Sequence, residues 1–90
     1  MYSLLYMLKT DLGIMQSKAY DTRLYQFLET ARSEIIAEGA KNLNIDDPLD
    51  AQLVVDYAKW LWNKRKSMEG MPRMLRYRLN NRVMGEKART

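Results

Sequence analysis

The chain contains no cysteine and no histidine. Their joint absence excludes disulfides, thiol nucleophiles, Cys/His zinc sites, imidazole acid–base chemistry and histidine-based catalytic triads. Its four glycines are isolated from one another, so there is no glycine-rich loop to cradle a phosphate. No stretch approaches the ~18 consecutive apolar residues of a membrane span. The opening MYSLLYMLKTD carries a lysine and an aspartate too early for a signal peptide, so an intracellular, soluble chain with no membrane partner is expected. Asp46, Asp47 and Asp50 lack the D-x-D-x-D-G spacing and the distal glutamate of a calcium loop. No catalytic, cofactor or metal site is expected, and the chain reads as a non-enzyme.

What is present is compact. Ninety residues, 47% hydrophobic and 29% charged, make one small globular domain rather than a disordered chain. The net charge of +4 hides an asymmetry. Residues 1–58 hold five basic and nine acidic side chains, a balance of −4, whereas residues 59–90 hold ten basic and two acidic, a balance of +8. Such a chain can bind a polyanion through its basic end, or bind a second copy or an acidic protein back to front. It can also simply carry a solvated basic tail.

Hydrophobic spacing predicts an all-α bundle of about four helices, two short and two long, with no strand pattern. Ser3 is a candidate cap for a first helix in which Leu4, Leu5, Leu8 and Leu12 share a side, and Gly13 is its left-handed stop with Ile14 closing a hydrophobic contact. A second helix starts within 17–21, where Ser17 and Asp21 compete as caps, and stops at Gly39. Tyr20, Leu24, Leu28, Ala31 and Ile35 make its apolar stripe. Leu43 and Ile45, in the loop 40–46, are expected to plug the core. The third helix has the strongest start signal: Asp47 as cap, Pro48 in the first position and Asp50 in the first turn. It is expected to run to about Met68. Pro72 opens a fourth helix, Gly85 ends it, and residues 85–90 form a loose tail beyond a domain at 1–84.

The third helix carries more apolar surface than one core needs. Val54, Tyr57, Ala58, Leu61 and Met68 form its central stripe, flanked by Trp60 with Leu49 on one side and Trp62 with Val55 on the other. That sector spans about two-thirds of the circumference, against the ~100° of an ordinary surface helix. Either neighbouring helices cover both flanks, or one stays open for another subunit. On the fourth helix Met71, Leu75, Leu79 and Val83 give the core seam. Its arginines are scattered: Arg73 points away, Arg76 sideways, and Arg78 and Arg82 lie beside the seam. Such scatter suits a helix surrounded by acidic or carbonyl-rich acceptors better than a groove-reading helix. The candidate subunit or partner contacts are therefore Trp60, Trp62, Arg65, Arg73, Arg76, Arg78 and Arg82.

The order of four segments adds a resemblance. LKTDLGI (Leu8–Ile14), the AYDTRLYQFLETARSEI stretch, DAQLVVDYAKWLWNKR and EGMPRMLRYRLNNRV (Glu69–Val83) together resemble the head–tail connector, or adaptor, family of tailed bacteriophages and prophages. The resemblance covers roughly residues 4–84. It implies an all-helical structural subunit that assembles with itself into a ring of roughly a dozen copies by head-to-tail contacts. It further implies docking beneath the portal protein in the virion neck, after assembly in the host cytoplasm. The ring would offer a surface to the next neck or tail-completion protein and let DNA pass without sequence recognition. The alternative from charge alone is a small basic DNA-binding module, and a helical adaptor for one host protein is a third reading.

Overall fold

A computed structural model describes residues 2–15, 18–67 and 70–89. Within them the chain forms four helices: α1 (Tyr2–Leu12), α2 (Asp21–Ala37), α3 (Pro48–Ser67) and α4 (Arg73–Arg89). The all-α reading holds. α3 is the central element: α1, α2 and α4 all pack against it, α1 and α2 also pack on each other, and α1 and α4 have no comparable contact.

Several helix ends follow directly from local chemistry. Gly13 adopts φ +73°. The N–H of Gly13 donates to the Thr10 carbonyl (3.2 Å) and that of Ile14 to Lys9 (3.1 Å), the paired bonds of a Schellman stop. α2 ends the same way, with Gly39 at φ +131° and bonds from Gly39 to Ile36 and from Ala40 to Ile35. At the start of α3, Asp47 Oδ1 accepts the Leu49 N–H at 2.8 Å, as an N-cap should.

Other ends differ from expectation. Ser3 lies inside α1, which begins at Tyr2. Asp21 is the first residue of α2 rather than its cap, because its carboxylate is committed to Lys9 Nζ at 2.7 Å. Tyr20 occupies the cap position without a side-chain bond; Ser17 and Met68 fall outside the described residues. Pro72 sits one residue before α4, its carbonyl accepting the Arg76 N–H. The largest correction concerns Gly85. α4 runs through it to Arg89, and Glu86, expected in a loose tail, is only 3% exposed. Tertiary contacts of Glu86 outweigh the ~1 kcal/mol helix penalty of an interior glycine.

The core is built on most positions of the predicted stripes; Tyr20, expected in the α2 stripe, precedes the helix and is 44% exposed. Leu24, Leu28, Ala31 and Ile35 of α2 are fully buried, as are Val54, Val55 and Ala58 of α3 and Leu79 of α4. Leu4 and Leu8 of α1 join them, while Leu43, Ile45, Met71 and Val83 pack at the margin. Each buried Leu, Ile or Val contributes about 1.5–3 kcal/mol of apolar transfer. The molecule is flattened, 42 × 28 × 17 Å, and no helix of the described residues is long and apolar enough to cross a membrane.

Candidate functional site

The Trp62 flank of α3 is covered within the chain, and the Trp60 flank is covered in part. Trp62 is 8% exposed and meets the rings of Tyr20 and Phe27 edge-on, with centroids 5.4 and 6.0 Å away. An indole packed this way offers no surface to a partner, so Trp62 is removed from the interface candidates. Trp60 is half-buried. Tyr57 packs edge-on against it at 5.4 Å and Lys64 Nζ lies over its ring at 4.9 Å, a cation–π contact. Its indole N–H is buried and finds no acceptor among the described residues. The α4 side reaches it through Pro72 and Leu75, which with Trp60 line a groove of about 300 Å³. Most of the wide apolar sector of α3 thus reflects its central position in the bundle, with Leu49 and an edge of Trp60 left uncovered.

The expected arginine acceptors are present, and they belong to the same molecule. Arg82 forks onto Asp50, with Nε to Oδ1 at 2.8 Å and Nη2 to Oδ2 at 3.3 Å. Its Nη1 also reaches Glu86 Oε1 at 3.3 Å, and Nη2 donates to the Asn42 carbonyl at 3.2 Å. Glu86 in turn accepts the Asn42 N–H (2.7 Å) and Nδ2 (2.9 Å), and Asp50 accepts the Asn44 N–H at 3.0 Å. This cluster ties the start of α3, the loop 40–46 and the end of α4 together. The Asn42 N–H is the leading cause that holds the Glu86 carboxyl below its ordinary value, helped by Arg82 and opposed by burial. Hydrogen bonding to Asp50 raises the already high Arg82 value.

Arg78 pairs with Asp56, whose other oxygen accepts Gln52 Nε2 at 2.8 Å. Arg76 pairs with Glu38 at 3.1 Å across exposed surface. Arg73 is exposed and makes no ion pair among the described residues. The side chain of Arg65 lies outside the described residues. Of the seven expected contacts, Arg76, Arg78 and Arg82 are therefore spent clamping α4 onto its own molecule. Arg73 and the open edge of Trp60 remain available.

The apolar surface that stays uncovered lies elsewhere. Met74, Tyr77 and Met84 are 68%, 60% and 66% exposed, and Leu49 at the start of α3 is 80% exposed. Met74, Tyr77 and Met84 fall at i, i+3 and i+10 with Asn81 at i+7, one stripe about 15 Å long on the side of α4 away from its core seam. Leu49 and Asn81 meet in a groove of about 270 Å³ with Leu53, Arg78 and Arg82. The same helical spacing could have revealed this second apolar face of α4 in the sequence. On the opposite side of α3, Tyr6 and Tyr25 are exposed beside a groove of about 490 Å³ lined by Leu5, Asp21, Thr22, Tyr25 and Gln26.

A fourth groove, of about 490 Å³, places Glu34, Glu38, Tyr57, Trp60 and Lys64 side by side. Burial, and then a hydrogen bond to Glu34, push the Tyr57 hydroxyl well above its ordinary value, so it remains a protonated donor. Among the described residues no group of three or more potential metal ligands comes together. Comparison with family models, with curated proteins and with solved structures finds no match to this chain.

Proposed function

We propose that this chain is a structural, non-catalytic subunit of a head–tail connector. In this reading it assembles as a ring below a portal protein, extends the DNA channel and joins head to tail in the virion neck. What supports it most is the uncovered outer face of α4, since exposed apolar patches rimmed by polar residues mark interaction surfaces. The segments that carry the family resemblance also fall on successive structural units. LKTDLGI spans the end of α1 and its Schellman stop, the YDTRL segment heads α2, DAQLVV lies in α3, and GMPRML is the turn into α4.

The DNA-binding alternative draws on the basic C-terminal third, and the ion pairs weaken it. Arg76, Arg78 and Arg82 already face carboxylates, so a phosphate would have to displace an existing partner. The test is native mass and electron microscopy of the purified chain with and without portal rings. A co-axial ring on the portal is expected. A monomer or dimer that ignores the portal and binds duplex DNA with a steep salt dependence would overturn the proposal.

A further inference from the structure

The exposed side of α4 keeps a periodicity of its own. Met74, Tyr77, Asn81 and Met84 are all exposed and stand three, four and three positions apart, the a–d–a–d spacing by which one helix meets another. The core seam, Leu75, Leu79 and Val83, steps by four on the other side of the helix. Next to the stripe, exposed Leu49 and buried Leu53 line with Asn81 the groove of about 270 Å³ between α3 and α4. The stripe is one helix wide and about 15 Å long, so what fits it lengthwise is another helix, lying between the stripe and Leu49. Methionine adapts to such a contact and tyrosine brings a large rigid one.

The edges of the stripe decide which helix. In this register Arg73, Asn80 and Lys87 take the g positions, and Arg78 and Gly85 the e positions. Arg73 and Lys87 are exposed. The one acid of α4, Glu86, is buried on the opposite side, against Asn42 and Arg82. A second copy is a poor occupant. Parallel pairing of two α4 helices sets Arg73 against Arg78 of the other copy, and antiparallel pairing about Asn81 sets Arg73 against Lys87. Both place cation beside cation. Asp56 answers Arg78 within the chain, but Arg73 has no ion pair among the described residues. Nucleic acid fits no better, because methionine and tyrosine hold the centre of the face where phosphates need cations. Asn81 likewise interrupts the apolar band that a membrane-surface helix immerses. The ion pairs bring three carboxylates, of Glu38, Asp50 and Asp56, to the basic third. Against a balance of +8 over residues 59–90, its attraction for an acidic partner survives them.

We infer that the outer face of α4 receives an amphipathic helix of a different protein, apolar along its centre and acidic along the edge that meets Arg73 and Lys87. This rests on the interaction-surface reading above, names the chemistry of what seats there, and leaves ring closure to other parts of the chain. Arg73 and Lys87 lie two heptads apart on one edge, so the acids of the partner recur along that edge.

The chain has no cysteine, so Tyr77→Cys places a single thiol in the stripe, and its alkylation rate reports what covers it. The probe is a helical peptide of about three heptads with leucine at a and d, asparagine at one central a position and glutamate at e and g. Its twin carries lysine at e and g. The glutamate peptide should slow alkylation and bind about tenfold tighter than the twin, because each edge contact turns from attraction to repulsion. Arg73→Glu with Lys87→Glu, both at exposed positions, should reverse that preference, with native tryptophan fluorescence confirming the fold of each variant. No binding by either peptide, equal affinity for both, or a preference that survives the charge reversal overturns the inference. So does protection of the thiol by duplex DNA or by phosphatidylglycerol vesicles, or rapid 77–77 disulfide formation between copies. The connector reading fails separately. Portal-bound rings whose thiol at position 77 ignores both peptides overturn the docking and leave the ring standing. A preference that reverses with charge, in a chain that binds no portal, supports the docking while the neck assignment falls.

Discussion

Gly39→Ala is the sharpest single perturbation of this fold. Gly39 has φ +131°, a region that residues with a Cβ enter at a cost of about 1–3 kcal/mol. A Cβ built there would lie 2.8 Å from Val83 Cγ1. Valine is stiff at χ1, so α4 itself must shift, an overpacking cost of about 1–3 kcal/mol. Reduced entropy of the unfolded chain returns about 0.4–1 kcal/mol. The net loss is about 1–5.6 kcal/mol, against the roughly 5–13 kcal/mol that a chain of this length has in total. Urea unfolding followed by tryptophan fluorescence measures it, with the buried Trp62 as reporter. Gly13→Ala is the control, with φ +73° and nothing within 4 Å of the new Cβ, and should cost only about 1–2 kcal/mol. Adding Val83→Ala to Gly39→Ala removes the clash, so the double variant should be about 1–3 kcal/mol more stable than the two single losses add up to. If Gly39→Ala costs no more than Gly13→Ala, or if the cycle is additive, the close approach of α4 to this turn is refuted.

Three further outcomes follow from the ion pairs and the core. The folded-state value of Glu86 is depressed below its ordinary 4.5, so its stabilisation is present above about pH 4.5 and is lost as pH falls through the depressed value. Glu86→Gln should therefore flatten the acid limb of a stability–pH profile measured by urea midpoints. Tyr57 is shifted up from 10.0, so its contribution is complete below pH 10 and declines as the unfolded chain ionises above it. Tyr57→Phe should reduce that alkaline loss. Arg76→Ala breaks an exposed pair and should cost less than about 1 kcal/mol, whereas Leu79→Ala empties a fully buried site and should cost about 2–5 kcal/mol. Thermal midpoints rank the last two, and equal losses would contradict the burial assigned here.

Local signals were legible because local chemistry decides them. The stop at Gly13, the Asp47–Pro48 start of α3, the α2 stripe and the core seam of α4 all rest on interactions within a few residues. The Asp50–Arg82–Glu86 cluster has no such signature: Arg82 reaches Asp50 across 32 positions, and Glu86 reaches Asn42 across 44. Without that pairing Asp50 reads only as a helix-dipole acid, and Gly85 reads as a stop. The tryptophans left two readings open for a related reason. Periodicity gives the width of an apolar sector but not the number of helices wrapped around it, so the central helix of a bundle and a helix awaiting a partner look alike. The face that does stay bare was written in α4 at helical spacing, masked by the arginines between its residues.

α4 is fastened by a short greasy seam and three guanidinium clasps, while α1, α2 and α3 enclose one another. Hydrogen exchange should consequently reveal two protection levels, with the amides of α4 opening ahead of the three-helix body. Fastenings of this kind loosen with acid before the leucine interior does. Anything that seats on α4 adds its own free energy to the least protected quarter of the chain, so engagement would register first as slowed exchange in that helix.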